Sequence, residues 1–395
     1  MSHLKRIYIT TWGYPSEEAK GNPFVKEIAE ALASRGVKVL IIVVIFKGLS
    51  SVLKGKNEKW LISDLLEIRE VKIRNYIPSL FGLGKLRRYL SKYQMTSNLE
   101  KISIELGMPD AFQFHYILHS SAWLFTDFLS KNKLRYTLFE HSPGSAFIKG
   151  VSKNFGGFTD FRELQIFVQS ATLRLARIRK YEIKLSELYQ AQFHSLPSFI
   201  SNEYDVFEEL KEISKPPFTY ISVGSLIPRK GFRLLIDSFK SLIEGIPSAR
   251  LIIVGGGPLH DELNEQVRRL KLESSVTLTG ELPKSKVLRL VEVSNVLVVA
   301  SQWETFGNTV LEGMHLGKPI VSTKCDGPET IVTEATGILC DQNEDAMSAA
   351  LNWMYKNYAS FDSSKIAEHC RNTYSEEAVM NQLSKYYKES FGLDF

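Results

Sequence analysis

Cysteine is scarce in this 395-residue sequence: Cys325, Cys340 and Cys370 are scattered and odd in number. None has the close spacing of a zinc or dithiol site, so a disulfide framework is excluded and a reducing compartment is the natural reading. Long apolar runs are missing too. The most apolar stretch, Val39 to Phe46, falls far short of the roughly 20 residues that span a bilayer. Met1 leads through Lys5 and Arg6 directly into Ile7-Tyr8-Ile9, without the apolar region and small-residue cleavage site of a secretory signal. The expectation is a cytoplasmic chain without a transmembrane segment.

Charge of one sign is also limited. The net charge is +5 and charged residues make up 24% of the chain, which suits a soluble globular enzyme rather than a disordered or nucleic-acid-binding one. The mild excess is uneven. Lys85, Arg87, Arg88 and Lys92 alternate with Leu83, Leu86, Tyr89, Leu90 and Tyr93 at roughly helical spacing. Lys85 to Tyr93 therefore reads either as an interfacial helix, peripheral on the inner face of the cell membrane, or as an ordinary amphipathic helix with a solvated basic face.

What is present is repeated alternation of apolar strands and helical stretches, over a length that exceeds one ordinary core. The first part opens with a strand at Ile7 to Ile9, a loop around Gly21, a helix from Pro23 to Arg35 and a buried strand from Val37 to Val44. Further strands are expected at Ala111 to Phe114 and Tyr136 to Phe139, with His115 and His141 near their ends. Continuous apolar strands separated by helices predict a parallel sheet. Adjacent prolines in Ser214-Lys215-Pro216-Pro217 break the pattern. Alternation then restarts with strands at Phe218 to Val223, Arg250 to Val254, Val276 to Thr279, Val296 to Val299 and Pro319 to Ser322. The fold class is α/β: two doubly wound, Rossmann-like domains at residues 1–213 and 218–374, followed by a C-terminal helical segment, 375–395. Open parallel sheets bind ligands at the C-terminal ends of their strands, so the default site is a cleft between two facing domains.

The run Ser301-Gln302-Trp303-Glu304-Thr305-Phe306-Gly307-Asn308-Thr309-Val310-Leu311-Glu312 carries the clearest chemistry. A buried strand ends, a loop crosses the sheet, and a helix opens at Gly307. The free N–H groups and dipole of a helix start suit a phosphate, and glycine lets the backbone approach closely. Glu304 precedes this start, and Glu312 lies one turn inside it, on the side shared with Asn308. Ionised carboxylates beside an anion site make sense when the ligand also offers hydroxyl donors. In the loop Gly224 to Phe232, Arg229 and Lys230 supply a planar fork and a point charge for phosphates.

Glu304 and Glu312, with seven residues between them that include Phe306-Gly307, resemble the signature of glycosyltransferase family 4, retaining enzymes of GT-B fold. The resemblance covers most of the chain and is strongest from Tyr220 to Leu339. It implies that Glu312 binds the ribose hydroxyls, Phe306 to Thr309 the diphosphate, and that Glu304 lies at the donor sugar. It further implies that Arg229 and Lys230 neutralise the diphosphate, although Ser225 stands where many members carry arginine. Gly256, in Gly255-Gly256-Gly257-Pro258, would let the chain pass beside the nucleotide, and Leu282, in Gly280-Glu281-Leu282-Pro283, would meet the base. Gly21 resembles the loop glycine that approaches the donor phosphates. His115 matches the second position of a strand-end His-x-His, whose first position is Gln113, and is implied to contact the donor sugar near the reacting carbon. Glu140 and His141 are candidates for acceptor contact.

The implied activity is retaining hexosyl transfer from a UDP- or GDP-sugar to a saccharide or lipid-linked saccharide in cell-surface glycan synthesis. With Arg229, Lys230 and the helix start to stabilise the departing diphosphate no metal is expected, consistent with the lack of any Asp-x-Asp pair, and no cofactor is expected beyond the donor substrate. A sugar-nucleotide epimerase or phosphorylase would use the same scaffold. A catalytically silent subunit would have lost a glutamate or the basic loop, and a nicotinamide dehydrogenase would need the full glycine fingerprint, whose third glycine falls at His260.

Overall fold

A computed structural model describes residues 4–11, 23–47, 59–74, 83–117, 121–141, 157–200 and 217–395. Gly21 and residues 214–216 of the expected linker lie outside them. The chain divides into two compact units, Met1–Leu196 with Met380–Phe395, and Pro197–Val379.

In the first unit the elements run β1 (Arg6–Thr11), α1 (Pro23–Ser34), β2 (Lys38–Lys47), β3 (Lys59–Ser63), β4 (Leu66–Arg74), α2 (Gly84–Leu106), β5 (Ala111–His115), α3 (Thr126–Lys131), β6 (Tyr136–Glu140), α4 (Phe161–Ser170), β7 (Leu173–Ala176), α5 (Arg179–Tyr189) and β8 (His194–Ser195). Their eight-stranded sheet has the order β3-β4-β2-β1-β5-β6-β7-β8. All its pairings are parallel except β3 with β4. The continuous apolar run Val39 to Ile42 is buried, as a strand covered on both faces requires. The β3-β4 pair was not expected, because every residue of β3 is exposed and its Lys-Trp-Leu-Ile-Ser run shows no alternation.

Helix α2 reaches well beyond the Lys85 to Tyr93 stretch. It docks through Ser91, Met95, Leu99 and Ile102, spaced three and four apart on one stripe. Leu83, Leu86, Tyr89, Leu90 and Tyr93 stay exposed. Of the interleaved bases, Arg88 pairs with Glu163 at 2.5 Å and Lys92 with Asp127 at 3.0 Å, which leaves a less basic face than the sequence suggests. The basic residues Arg174, Arg177 and Arg179 at β7 and α5 likewise do not form one surface: Arg177 is buried, Arg174 bonds Gln192 O, and Arg179 pairs with Glu182.

The second unit continues with β9 (Thr219–Val223), α6 (Phe232–Gly245), β10 (Arg250–Val254), α7 (His260–Arg269), β11 (Val276–Leu278), α8 (Lys284–Val293), β12 (Val296–Val299), α9 (Asn308–His315), β13 (Ile320–Thr323), α10 (Pro328–Ile331), β14 (Gly337–Cys340), α11 (Glu344–Asn357) and α12 (Ser363–Tyr374). Helix α13 (Glu376–Phe391) ends the chain, and from Met380 onward it belongs to the first unit. The sheet order β11-β10-β9-β12-β13-β14 reverses direction between β9 and β12, which is the topological switch point of a doubly wound sheet. Tyr220, on the central strand, pairs in register with Leu251 on one side and Val296 on the other. Its buried hydroxyl donates to Leu351 O of α11 at 2.8 Å, while Phe239 of α6 packs edge-on to its ring. These contacts hold two helices on one face of the sheet and fix the strand ends that carry the next features.

Candidate active site

The loops leaving β9 and β12 meet at the switch point. After β9, Pro228–Lys230 form a single 3-10 turn closed by Gly231 at φ +68°. A Cβ on Gly231 would sit 1.9 Å from Ala300 O, so only glycine lets the two loops touch. Gln302 N donates to Arg229 O at 2.8 Å and Arg229 Nη1 donates to Trp303 O at 2.8 Å, which ties the loops together.

That contact brings three charges into one cluster. Lys230 Nζ lies 2.5 Å from Glu304 Oε1, and Arg229 Nη1 lies 3.3 Å from Glu304 Oε2. Ser301 Oγ donates to Glu304 Oε1 at 2.6 Å. Glu304 itself is held by its backbone, whose N–H donates to Cys325 O at 2.7 Å and whose carbonyl accepts from Gly327 N at 3.0 Å. Burial pushes the Glu304 carboxyl up, but the Lys230 charge and hydrogen bond, with Ser301 and Arg229, outweigh it and hold the group below the usual carboxylate range. Two cations on one carboxylate leave the cluster with a net positive charge. Trp303 stacks under the Arg229 guanidinium at 4.3 Å from the ring centroid, a cation–π contact.

Three residues on, Gly307 takes φ +101° and opens α9. Phe306 is buried, and Asn308, Thr309 and Glu312 are half-buried. Asn308 Oδ1 is buried and has no hydrogen-bond partner among the described residues. A buried lone acceptor of this kind fits a ligand with O–H or N–H donors. The Gly255–Gly257 turn lies against the Gly224–Leu226 loop, with Leu226 N donating to Gly256 O at 2.8 Å, and Gly255 N donates to Gly280 O at 3.0 Å. Gly256 and half-buried Leu282 are thereby set on neighbouring loops at the ends of β10 and β11.

In the first unit the expected residues are placed differently. His115 lies within β5, not beyond it, and is fully buried; His141 is 3% exposed. His115 Nδ1 is 2.7 Å from His141 Nε2 and His115 Nε2 is 3.1 Å from Gln113 Oε1. Arg177 Nε donates to His141 Nδ1 at 2.8 Å. All four ring nitrogens are thus engaged inside the unit, so neither imidazole offers a free nitrogen to a sugar. Glu140 is also buried and its Oε2 accepts from Ile117 N at 3.2 Å. The difference arises because these strand ends are covered by aromatic rings: Tyr116 and Phe24 stack on His141 at 4.6 and 5.7 Å.

Sequence reasoning gave no site role to Ser301, Trp303 and Tyr387, and weighed Arg177 only within a basic group with Arg174, Arg179 and Lys180. Ser301 and Trp303 flank the singled-out glutamate, and a polar residue directly after a buried strand is a usable signal. For Arg177 and Tyr387 no local signal exists, since their partners are 36 and 274 residues away.

Residues 205–375 match the family model described as Glycosyl transferases group 1. Over 134 residues the chain is 37% identical to an uncharacterized glycosyltransferase of Methanocaldococcus jannaschii, a match covering 34% of this chain and 32% of that protein. For this and the next four curated relatives, the match spans between 24% and 47% of the relative's length. The sucrose-phosphate synthase of Thermosynechococcus elongatus superposes with a TM-score of 0.73 at 19% identity, covering 99% of this chain and 100% of that one. Anabaena HepE in complex with UDP gives 0.69 at 15% identity, over 98% and 100%. Residues 205–375 accordingly match the group 1 glycosyl transferase model, in a chain that has the GT-B fold.

Proposed function

We propose that the protein is a retaining glycosyltransferase that moves a sugar from a UDP- or GDP-sugar to a hydroxyl of a saccharide or lipid-linked saccharide. The observation that carries this reading is the Arg229–Lys230–Glu304 cluster at the switch point, three residues before the Gly307-opened start of α9. Departure of a nucleoside diphosphate leaves negative charge on its oxygens. Lys230, Arg229 and the first N–H groups of α9 are prepositioned cations and dipoles for that charge, which is the work other enzymes assign to a divalent ion. A metal-free reaction follows from this reading.

In the same reading Asn308 and Glu312 take ribose hydroxyls, Gly256 and Leu282 border the base, Thr309 and Phe306 line the diphosphate, and Glu304 contacts the donor sugar while it orients Lys230. The UDP in the related Anabaena structure favours uridine. Same-face attack, with a diphosphate oxygen taking the acceptor proton, gives retention. A lipid-linked acceptor is supported by the exposed Leu83, Leu86, Tyr89, Leu90 and Tyr93 of α2 beside Lys85 and Arg87, a composition suited to an anionic lipid surface.

Thermal shift against UDP, GDP and their sugars, followed by transfer in EDTA, tests the reading. UDP should raise the Tm, transfer should survive EDTA, and proton NMR of the fresh product should show the donor's anomeric configuration. Glu312→Ala should weaken donor binding by about 1.5–3 kcal/mol, whereas Glu304→Ala should chiefly lower turnover. Wild-type activity in both variants, or an inverted product, would overturn it.

A further inference from the structure

Behind the strand ends of the first unit, five buried side chains form one unbroken line. Arg177, between β7 and α5, is 3% exposed, and the rings of Phe24 and Phe139 cover its guanidinium at 4.8 and 4.6 Å. A guanidinium can only donate hydrogen bonds. Its Nε donates to His141 Nδ1 at 2.8 Å, so that nitrogen carries no proton. A neutral His141 then carries its proton on Nε2, 2.7 Å from His115 Nδ1. That nitrogen must accept, which puts the His115 proton on Nε2, 3.1 Å from Gln113 Oε1. With Oε1 used as acceptor, Gln113 Nε2 donates to the Tyr387 hydroxyl at 2.7 Å, and Thr137 Oγ1 donates to the same oxygen at 2.9 Å. Each polarity follows from the one before it, and the only group that cannot reverse its role is the arginine.

We propose that Arg177 and Tyr387 are positioning residues for His115: Arg177 fixes the proton of both histidines on Nε2, and Tyr387, from the C-terminal helix, closes the line. The network keeps His115 as an oriented neutral ring with both nitrogens committed, not as a proton acceptor. Burial favours the same neutral forms, lowering His115 to about 3 and His141 well below its ordinary value, with the Arg177 charge adding to both. Tyr387 is fully buried on α13, so the seating of the chain's last helix and the orientation of a strand-end imidazole are parts of one hydrogen-bonded unit. The proton placement stands on these contacts and does not depend on the transferase reading above.

The test uses the full chain with 15N-labelled histidine and long-range proton–nitrogen correlation at pH 7, signals being assigned by their loss in His115→Gln and His141→Gln. Both rings should show a protonated Nε2 and an unprotonated Nδ1. Arg177→Met should convert His141 to a tautomer mixture, Arg177→Lys should restore the wild-type pattern, and Tyr387→Phe should leave the tautomers in place. A protonated Nδ1 on either ring of the wild type, or an unchanged pattern in Arg177→Met, would overturn the assignment. The wild-type spectrum decides it even if Arg177→Met fails to fold. A chain with no transferase activity but the expected tautomers would instead sink the reading of function and leave the proton placement intact.

Discussion

Replacing Lys230 by methionine removes one of two cations from a carboxylate that is 8% exposed. Breaking a buried pair from one side costs roughly 3–5 kcal/mol when the remaining charge is left alone. Here Arg229 at 3.3 Å and the Ser301 hydroxyl at 2.6 Å stay with Glu304, so the loss should be nearer the ~2 kcal/mol of a single charge-assisted hydrogen bond. Glu304→Gln should also destabilise, because it leaves the two cations facing each other. The double variant should then cost less than the sum, with a coupling of about 1–2 kcal/mol. Urea unfolding followed by circular dichroism at pH 7 measures all four species. Additivity within about 0.5 kcal/mol would refute the claim that these residues act as one cluster.

Acid should erase that coupling. The folded Glu304 carboxyl lies below its unfolded value of roughly 4.3, so its stabilising contribution is complete above that value and is lost as pH falls through the folded one. In Lys230→Met the folded value is less depressed and the loss should begin at higher pH. Coupling that persists unchanged well below pH 4 would contradict the ion-pair account.

Trp303→Ala strips the ring from beneath Arg229 at a 42% exposed site, which should weaken UDP binding by about 0.5–1 kcal/mol in calorimetry; an unaltered Kd would rule out a role for the stack. Gly307→Ala places a Cβ at φ +101°, 3.3 Å from Pro328 Cγ, and should cost roughly 1–2 kcal/mol, lowering the Tm by ~2–4 °C per kcal/mol. A Tm equal to wild type would mean that the loop opens without strain. His115 and His141 both have folded pKa values depressed below the unfolded ~6.5, so they stabilise above that value and the contribution is lost on acidification, for His115 toward about 3. The groups facing them are each other, Arg177 and Tyr116, with Glu27 acting on Arg177. Stability of the first unit should fall by ~2 kcal/mol per histidine between pH 7 and 5, and His141→Gln should flatten this dependence.

Much of the second unit could be read directly, because its parallel strands are continuous apolar runs and its helices have clear apolar stripes. Val296–Val299 and Arg250–Val254 have the bounds the residues indicate. The first unit was harder. The β3-β4 pair has no periodic signal, and the alternation of Lys85 to Tyr93 marks only the exposed start of α2 while its docking stripe lies further along.

For the site, the sequence by itself determined which residue types stand at each strand end: a glycine that opens a helix, an arginine and lysine after β9, and a glutamate after β12. Local spacing sets these, since a loop and the helix it begins are adjacent in the chain. Only the tertiary structure decided who meets whom. Strand order, which places β9 beside β12, puts Lys230 onto Glu304 across 74 residues and makes that glutamate a member of a charged cluster. The same kind of pairing turns His115 inward, because His141 and Gln113 satisfy its two nitrogens and are themselves engaged by Arg177 and Tyr387 from distant segments. A buried polar group must find a partner, and which partner is available depends on how the sheet is wound, which no window of sequence contains.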